Sequence, residues 1–242
     1  MTPSRIVFAL VVLLCLAGTA LPAHAQTVTA TVSVDLGPNS AAVNPVTNKI
    51  YVANMGSNTV TVINGATNSE SNITVGTAPQ FVAVNPLTNR IYVTISSGNT
   101  VTVIDGATDS VVTSVITGLH PSSLAVNPAT NLIYVVSPSN NNVTVIDGGS
   151  NMATATVTVG TTPSRIAVNP VTNQIYVSNN ASGNVTVIDG ATNGTTTVAA
   201  GTFPNSVNVN PVTNKIYVAN SGSGNVTVID GATNTVTTTV TA

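Results

Sequence analysis

An all-β chain, folded as a β-propeller of five four-stranded blades, is what three features of the sequence predict. A Val-Asn-Pro turn recurs with its prolines at Pro45, Pro86, Pro128, Pro170 and Pro211, spaced 41, 42, 42 and 41 residues apart. Such a nearly insertion-free period of about forty residues is that of a propeller blade. Each turn leads into an Ile-Tyr-Val run and then a Val-Thr-Val-Ile run that ends in Asp-Gly or Asn-Gly. The β-branched content and frequent Gly and Pro exclude a helical solenoid, and the coils of a β-solenoid are shorter than this period.

The elements follow in chain order. Met1 to Arg5 is a short basic start, Ile6 to Leu21 an apolar run, and Ala23-His24-Ala25 a small-x-small cleavage site before Gln26. Residues 1–25 therefore read as a secretory signal peptide. The apolar run is shorter than the ~20 residues of a spanning helix, so no membrane span is expected after cleavage. The propeller domain is residues 26–242, starting with an extra strand over 27–35 that alternates like a fourth blade strand. Repeats follow at 38–78, 79–120, 121–162, 163–203 and 204–242.

The second repeat shows how one unit becomes four strands. Gln80 to Asn85 is a short strand ended by Pro86, which cannot donate to a ladder and suits a turn. Arg90 to Ile95 is the second strand, Ser96-Ser-Gly-Asn99 a polar loop, and Thr100 to Ile104 the third strand. Asp105-Gly106 opens the next turn and Ser110 to Thr117 is the fourth strand. Apolar or Thr side chains on both faces of the second and third strands predict cover on both sides, which stacked blades supply. Tyr51, Tyr92, Tyr134, Tyr176 and Tyr217 share one position in the second strand. They are expected to pack between blades, each hydroxyl reaching a polar partner.

Tyr51-Val-Ala-Asn54, Tyr92-Val-Thr-Ile95, Tyr134-Val-Val-Ser137, Tyr176-Val-Ser-Asn179 and Tyr217-Val-Ala-Asn220 resemble the Tyr-Val-Thr-Asn signature of the YVTN-repeat β-propeller family. With Asn-Pro-x-Thr-Asn upstream and Val-Ile-Asp-Gly downstream, the resemblance covers essentially all of the mature chain. It implies an exported propeller, periplasmic, extracellular or on the cell surface, of a kind often without a known activity. Family propellers commonly have seven blades and this chain has five repeats. Two arrangements follow, a closed five-bladed ring at ~72° per blade or an open arc of a seven-bladed one at ~51°. The ring is favoured, since an arc leaves two blade faces wet.

Composition narrows the chemistry. After leader removal no cysteine remains, which excludes disulfides, thiolate metal ligands and a cysteine nucleophile. Lys49, Arg90, Arg165 and Lys215 stand against seven carboxylates, a formal net charge of −3, so no strong nucleic-acid binding is expected. Asp105, Asp147, Asp189 and Asp230 read as turn caps rather than calcium ligands, because no bidentate Glu follows and Asn64 replaces the Asp in the first copy. His120 is the one histidine of the mature chain, so neither a repeated Ser-His-Asp set nor a two-histidine metal site can be assembled. No cofactor or metal is expected.

By the usual propeller winding, the Asn-Pro-x-Thr-Asn and Asp-Gly turns share a monotonous face and the remaining connections share a variable one. Phe81, His120, Arg165, Phe203 and Asn205 on the variable face are the candidate ligand-binding residues. The expectation is an exported, non-enzymatic binding or surface-interaction scaffold, with a protein or cell-surface polymer as partner. A hydrolase- or lyase-type enzyme at the channel mouth, using His120 and Arg165, is one alternative. A surface-layer or adhesion subunit whose arcs self-associate is another.

Overall fold

A computed structural model describes residues 28–241. The signal-peptide assignment, residues 1–25, lies outside them. Among the described residues no helix is long and apolar enough to cross a membrane.

Among the described residues twenty strands form five antiparallel sheets of four, each in simple sequence order. The first blade comprises β1 (Pro38–Asn44), β2 (Lys49–Asn54), β3 (Thr59–Asn64) and β4 (Glu70–Thr74). The second comprises β5 (Pro79–Asn85), β6 (Arg90–Ile95), β7 (Thr100–Asp105) and β8 (Ser110–Ile116), within a residue of the sequence reading at each end. The third is β9 (Ser123–Asn127), β10 (Leu132–Ser137), β11 (Asn142–Asp147) and β12 (Met152–Thr158). The fourth is β13 (Pro163–Asn169), β14 (Gln174–Asn179), β15 (Asn184–Asp189) and β16 (Thr195–Ala199). The fifth is β17 (Pro204–Asn210), β18 (Lys215–Asn220), β19 (Asn225–Asp230) and β20 (Thr235–Thr241).

Four apolar cores lie between consecutive blades, not within them. Tyr51, Val60 and Val62 of the first blade pack on Val82, Ile91 and Val93 of the second, and the pattern repeats at each later junction, with Tyr92, Tyr134 and Tyr176. These four tyrosines are fully buried, as two-sided apolar strands require. Tyr51 and Tyr176 donate their hydroxyls to Asp109 and Gln174, at 3.4 and 2.8 Å. Tyr92 and Tyr134 correct the expectation, since their buried hydroxyls have no partner among the described residues. At the place matching Asp109, Asn234 also accepts from Tyr176 at 3.2 Å, whereas Asn151 Oδ1 is itself buried without a partner among the described residues. Burial pushes Tyr92 and Tyr176 up to about 12.

Polar bonds also bind neighbouring blades. In the first four blades the asparagine that ends the first strand is buried and donates to the asparagine three residues past the proline of the next blade. Asn44–Asn89, Asn85–Asn131, Asn127–Asn173 and Asn169–Asn214 are each 2.8 Å. Every acceptor in this ladder is left-handed, with φ from 52° at Asn89 to 56° at Asn131 and 49° at Asn214, a conformation asparagine adopts more readily than most residues.

Two expectations fail here. Residues 28–35 carry no strand, because each sheet already holds its four strands and no three-stranded sheet is left to pair with the segment. Val28–Thr31 fall in a separate N-terminal unit, and the blades belong to the unit from Val32 onward. The blades also form an open arc rather than a five-bladed ring. β1 packs on β5, β5 on β9, β9 on β13 and β13 on β17, with no comparable packing of β17 on β1. Tyr217 is accordingly 42% exposed on the last blade and Val43 59% on the first. Four-stranded sheets stacked through these side chains take a narrower wedge than five blades need for closure.

Candidate functional site

Hydrogen bonds gather the variable loops on one face. In four of the blades the loop after the second strand donates to the link before the blade, Met55 to Gly37, Ser96 to Ala78, Asn180 to Thr162 and Ser221 to Phe203, while in the third, where Pro138 has no N–H, Ser122 of the link donates to Val136. The opposite face holds the monotonous turns, where Gly65, Gly106, Gly148, Gly190 and Gly231 donate to the carbonyls of Asn48, Asn89, Asn131, Asn173 and Asn214. There each aspartate caps its own turn. The Ala107 N–H, and then Arg90, hold the Asp105 carboxyl below its ordinary value. The leading N–H is that of Gly149 for Asp147, Thr192 for Asp189 and Ala232 for Asp230.

Phe81 and Arg165 occupy matching places in the inner strands of the second and fourth blades, and the arc's curvature brings them together. The Arg165 guanidinium lies 5.8 Å from the Phe81 ring centroid, within cation–π range. Its Nη1 also donates to the Ser164 carbonyl at 3.1 Å. Lys49, Arg90 and Lys215 each pair with an aspartate, whereas Arg165 makes no salt bridge among the described residues. Ser123 fills the matching place in the intervening blade, fully buried and with its hydroxyl unpartnered.

His120 and Phe203 take matching places in the links before the third and fifth blades. Both have positive φ, 54° and 52°, as do Ala78 and Thr162 at the same position. The shared geometry is a property of the scaffold. The Asn58, Asn99 and Asn141 side chains hold the backbone N–H of Ala78, His120 and Thr162 at 2.9, 2.9 and 2.8 Å. Before Phe203 the asparagine is replaced by Gly183, and no such brace forms. His120 Nδ1 lies 3.0 Å from Ser139 Oγ, and no hydrogen bond joins it to Arg165. Phe203 lines a groove of about 400 Å³ with Asn180, Gly183, Ser223 and Asn225. Asn205 lines a cavity of about 310 Å³ with Ser206, Ala219 and Val226, on the last blade. The structure thus joins Phe81 with Arg165, ties the backbone of Asn205 to the neighbouring Ser164 hydroxyl at 3.4 Å, and brings neither His120 nor Phe203 into hydrogen-bonding contact with the pair.

Sequence reading missed a polar pocket at the third blade. In the first, fourth and fifth blades Asn54, Asn179 and Asn220 donate to Thr61, Thr186 and Thr227 at 2.8 to 2.9 Å. The third blade has Ser137, too short for that bond, and both its hydroxyl and Asn142 Oδ1 are buried without partners. Asn142 and Thr144 line a groove of about 440 Å³ with Gly118 and Asn140. The departure from Tyr-Val-x-Asn at Ser137 was the available signal. Ser137→Asn is expected to stabilise the protein by about 1 kcal/mol, read as a raised urea midpoint at unchanged slope. Gly160 and Gly201 already seat against Asn179 and Asn220 as Gly118 does against Ser137, so the larger side chain has room.

A family model described as YNCE-like beta-propeller matches residues 4–195. No curated protein matches the chain. Among solved structures, hydrazine synthase of Kuenenia stuttgartiensis is similar, with a TM-score of 0.72 and 21% identity over 87% of this chain and 68% of that one. A functionally unknown protein from Desulfotomaculum acetoxidans gives a TM-score of 0.69 and 17% identity over 84% of this chain and 71% of that one. U3-55K gives 0.72 and 11% over 84% and 64%. At these identities the likeness concerns the fold alone.

Proposed function

The chain belongs to the YNCE-like β-propeller family, and from that footing we propose that it is an exported, non-enzymatic scaffold that binds a cell-surface polymer through its variable loop face. The observation that carries this reading is the Arg165–Phe81 pair. A guanidinium without a carboxylate partner, held over an aromatic ring and flanked by serines, offers charge, hydrogen-bond donors and an apolar surface to one ligand. Anionic groups such as the carboxylates of an acidic polysaccharide suit that set. The separation of His120 from Arg165, with no hydrogen bond between them, favours binding over the acid–base alternative.

Polygalacturonate and neutral dextran are the probes. The protein is expected to retain polygalacturonate and not dextran, and Arg165→Ala to weaken retention about tenfold, or ~1.4 kcal/mol. Equal retention of both polymers, or an unchanged affinity in Arg165→Ala, would sink the proposal.

A further inference from the structure

Every third strand ends in a residue followed by glycine, and only the first blade has Asn there: Asn64-Gly65 against Asp105-Gly106, Asp147-Gly148, Asp189-Gly190 and Asp230-Gly231. The amide preserves the turn, because Asn64 Oδ1 accepts from Ala66 and Thr67 at 2.9 and 3.2 Å, as Asp230 does from Ala232 and Thr233. It does not preserve the ion pair. In the second and fifth blades the free carboxylate oxygen holds the cation opposite, Arg90 at 2.5 Å and Lys215 at 3.1 Å. Lys49 is the matching cation of the first blade, directly across from Asn64. Lacking a carboxylate there, it crosses to the second blade, to Asp109 at 2.7 Å and the Gly106 carbonyl at 3.0 Å. Among the described residues this is the one salt bridge that joins two blades.

We propose that Asn64-Gly65 is a site of spontaneous deamidation, and that the new carboxylate draws Lys49 off the second blade into its own. In the reaction the deprotonated Gly65 amide nitrogen attacks Asn64 Cγ. The N–Cγ bond forms, the Cγ–Nδ2 bond breaks and the side-chain nitrogen leaves as ammonia. Water then opens the cyclic imide at either carbonyl, giving a normal or an isoaspartyl linkage, with no oxidant or reductant.

Two features favour the site. Asn64 and Gly65 are both exposed. Residue 65 has to be glycine, because a Cβ would lie 2.5 Å from Asn48 Oδ1 and 2.9 Å from its carbonyl, so no side chain can shield the attacking nitrogen. The bond from Gly65 N–H to the Asn48 carbonyl, 2.8 Å, opposes attack. The rate is therefore set by local opening of the turn. Asn193-Gly194 is the comparison: there Asn193 is left-handed, φ 59°, and faces no cation, so conversion would leave the ion pairs as they are.

The test incubates the full chain at mildly alkaline pH and 37 °C and maps it with trypsin, which isolates residues 50–90 from the peptide holding Asn193. The expected result is an amide-to-acid mass gain located at Asn64, absent from an Asn64→Gln variant. Gain confined to Asn193, or spread evenly over the asparagines of 50–90, overturns the site. Lys49 transfer is read by a cycle. Asp109→Asn lowers the thermal midpoint of the parent, and in an Asn64→Asp background that shift falls to half or less. An equal shift in both backgrounds overturns the transfer.

Discussion

Tyr92→Ala destabilises the protein by about 3–5 kcal/mol, whereas Tyr217→Ala costs about 1 kcal/mol or less. The two residues occupy the same position in repeats of nearly identical sequence, so the difference isolates the neighbouring blade. Tyr92 is fully buried among Val101, Val103, Val115, Leu124 and Ile133, and its loss leaves a cavity between two sheets that cannot collapse without bending both. Tyr217 is 42% exposed on the open end of the arc and leaves no enclosed cavity. Tyr92→Phe, which removes only an unpartnered hydroxyl, is expected to cost little. Urea unfolding followed by two probes gives the comparison, since repeat arrays can lose cooperativity. Equal losses at Tyr92 and Tyr217 would mean that the end face is covered in solution.

That contrast marks where the sequence is readable. The repeat places all twenty strands, because period, turn prolines and β-branched runs are local signals, and the buried tyrosines follow from apolar residues on both strand faces. Closure is not local. Whether β17 meets β1 depends on a wedge angle summed over four junctions, and each junction has its own side chains: Val82, Leu124, Ile166 and Val207 fill the matching place. The segment 27–35 misled for a related reason, since alternation shows that a strand could form but not that a sheet with a vacant edge is there to receive it.

The candidate site divides in the same way. Phe81 and Arg165 were each legible as departures from the repeat, yet their pairing spans two blades and arises from the arc's curvature. The asparagines at 44 and 89 were legible as turn residues. Their mutual bond, 45 residues apart, needs the stacked blades to appear.

The asparagine ladder explains why the glycine of each Asp-Gly turn is as constrained as a core residue. A Cβ on Gly106 would lie 2.2 Å from Asn89 Oδ1, 2.8 Å from its Cγ and 2.9 Å from Ile91 Cδ1. Asn89 Oδ1 cannot withdraw freely, because it accepts the Asn44 amide at 2.8 Å, and Asn44 is fully buried. Gly106→Ala therefore forces out the Asn89 side chain and strands a buried amide between the first two blades. It also disturbs the Gly106 carbonyl that receives Lys49. The expected cost is about 2–4 kcal/mol, overpacking plus an unsatisfied buried donor. Gly149→Ala is the control, with its nearest neighbour at 3.3 Å, and should stay within about 0.5 kcal/mol. Asn89→Gly removes the obstructing side chain while tolerating the left-handed backbone. In that background Gly106→Ala should cost at least 1 kcal/mol less than in the parent, a coupling that direct contact requires. Strict additivity of the two changes would instead place the damage of Gly106→Ala in its own turn and remove the ladder from the explanation.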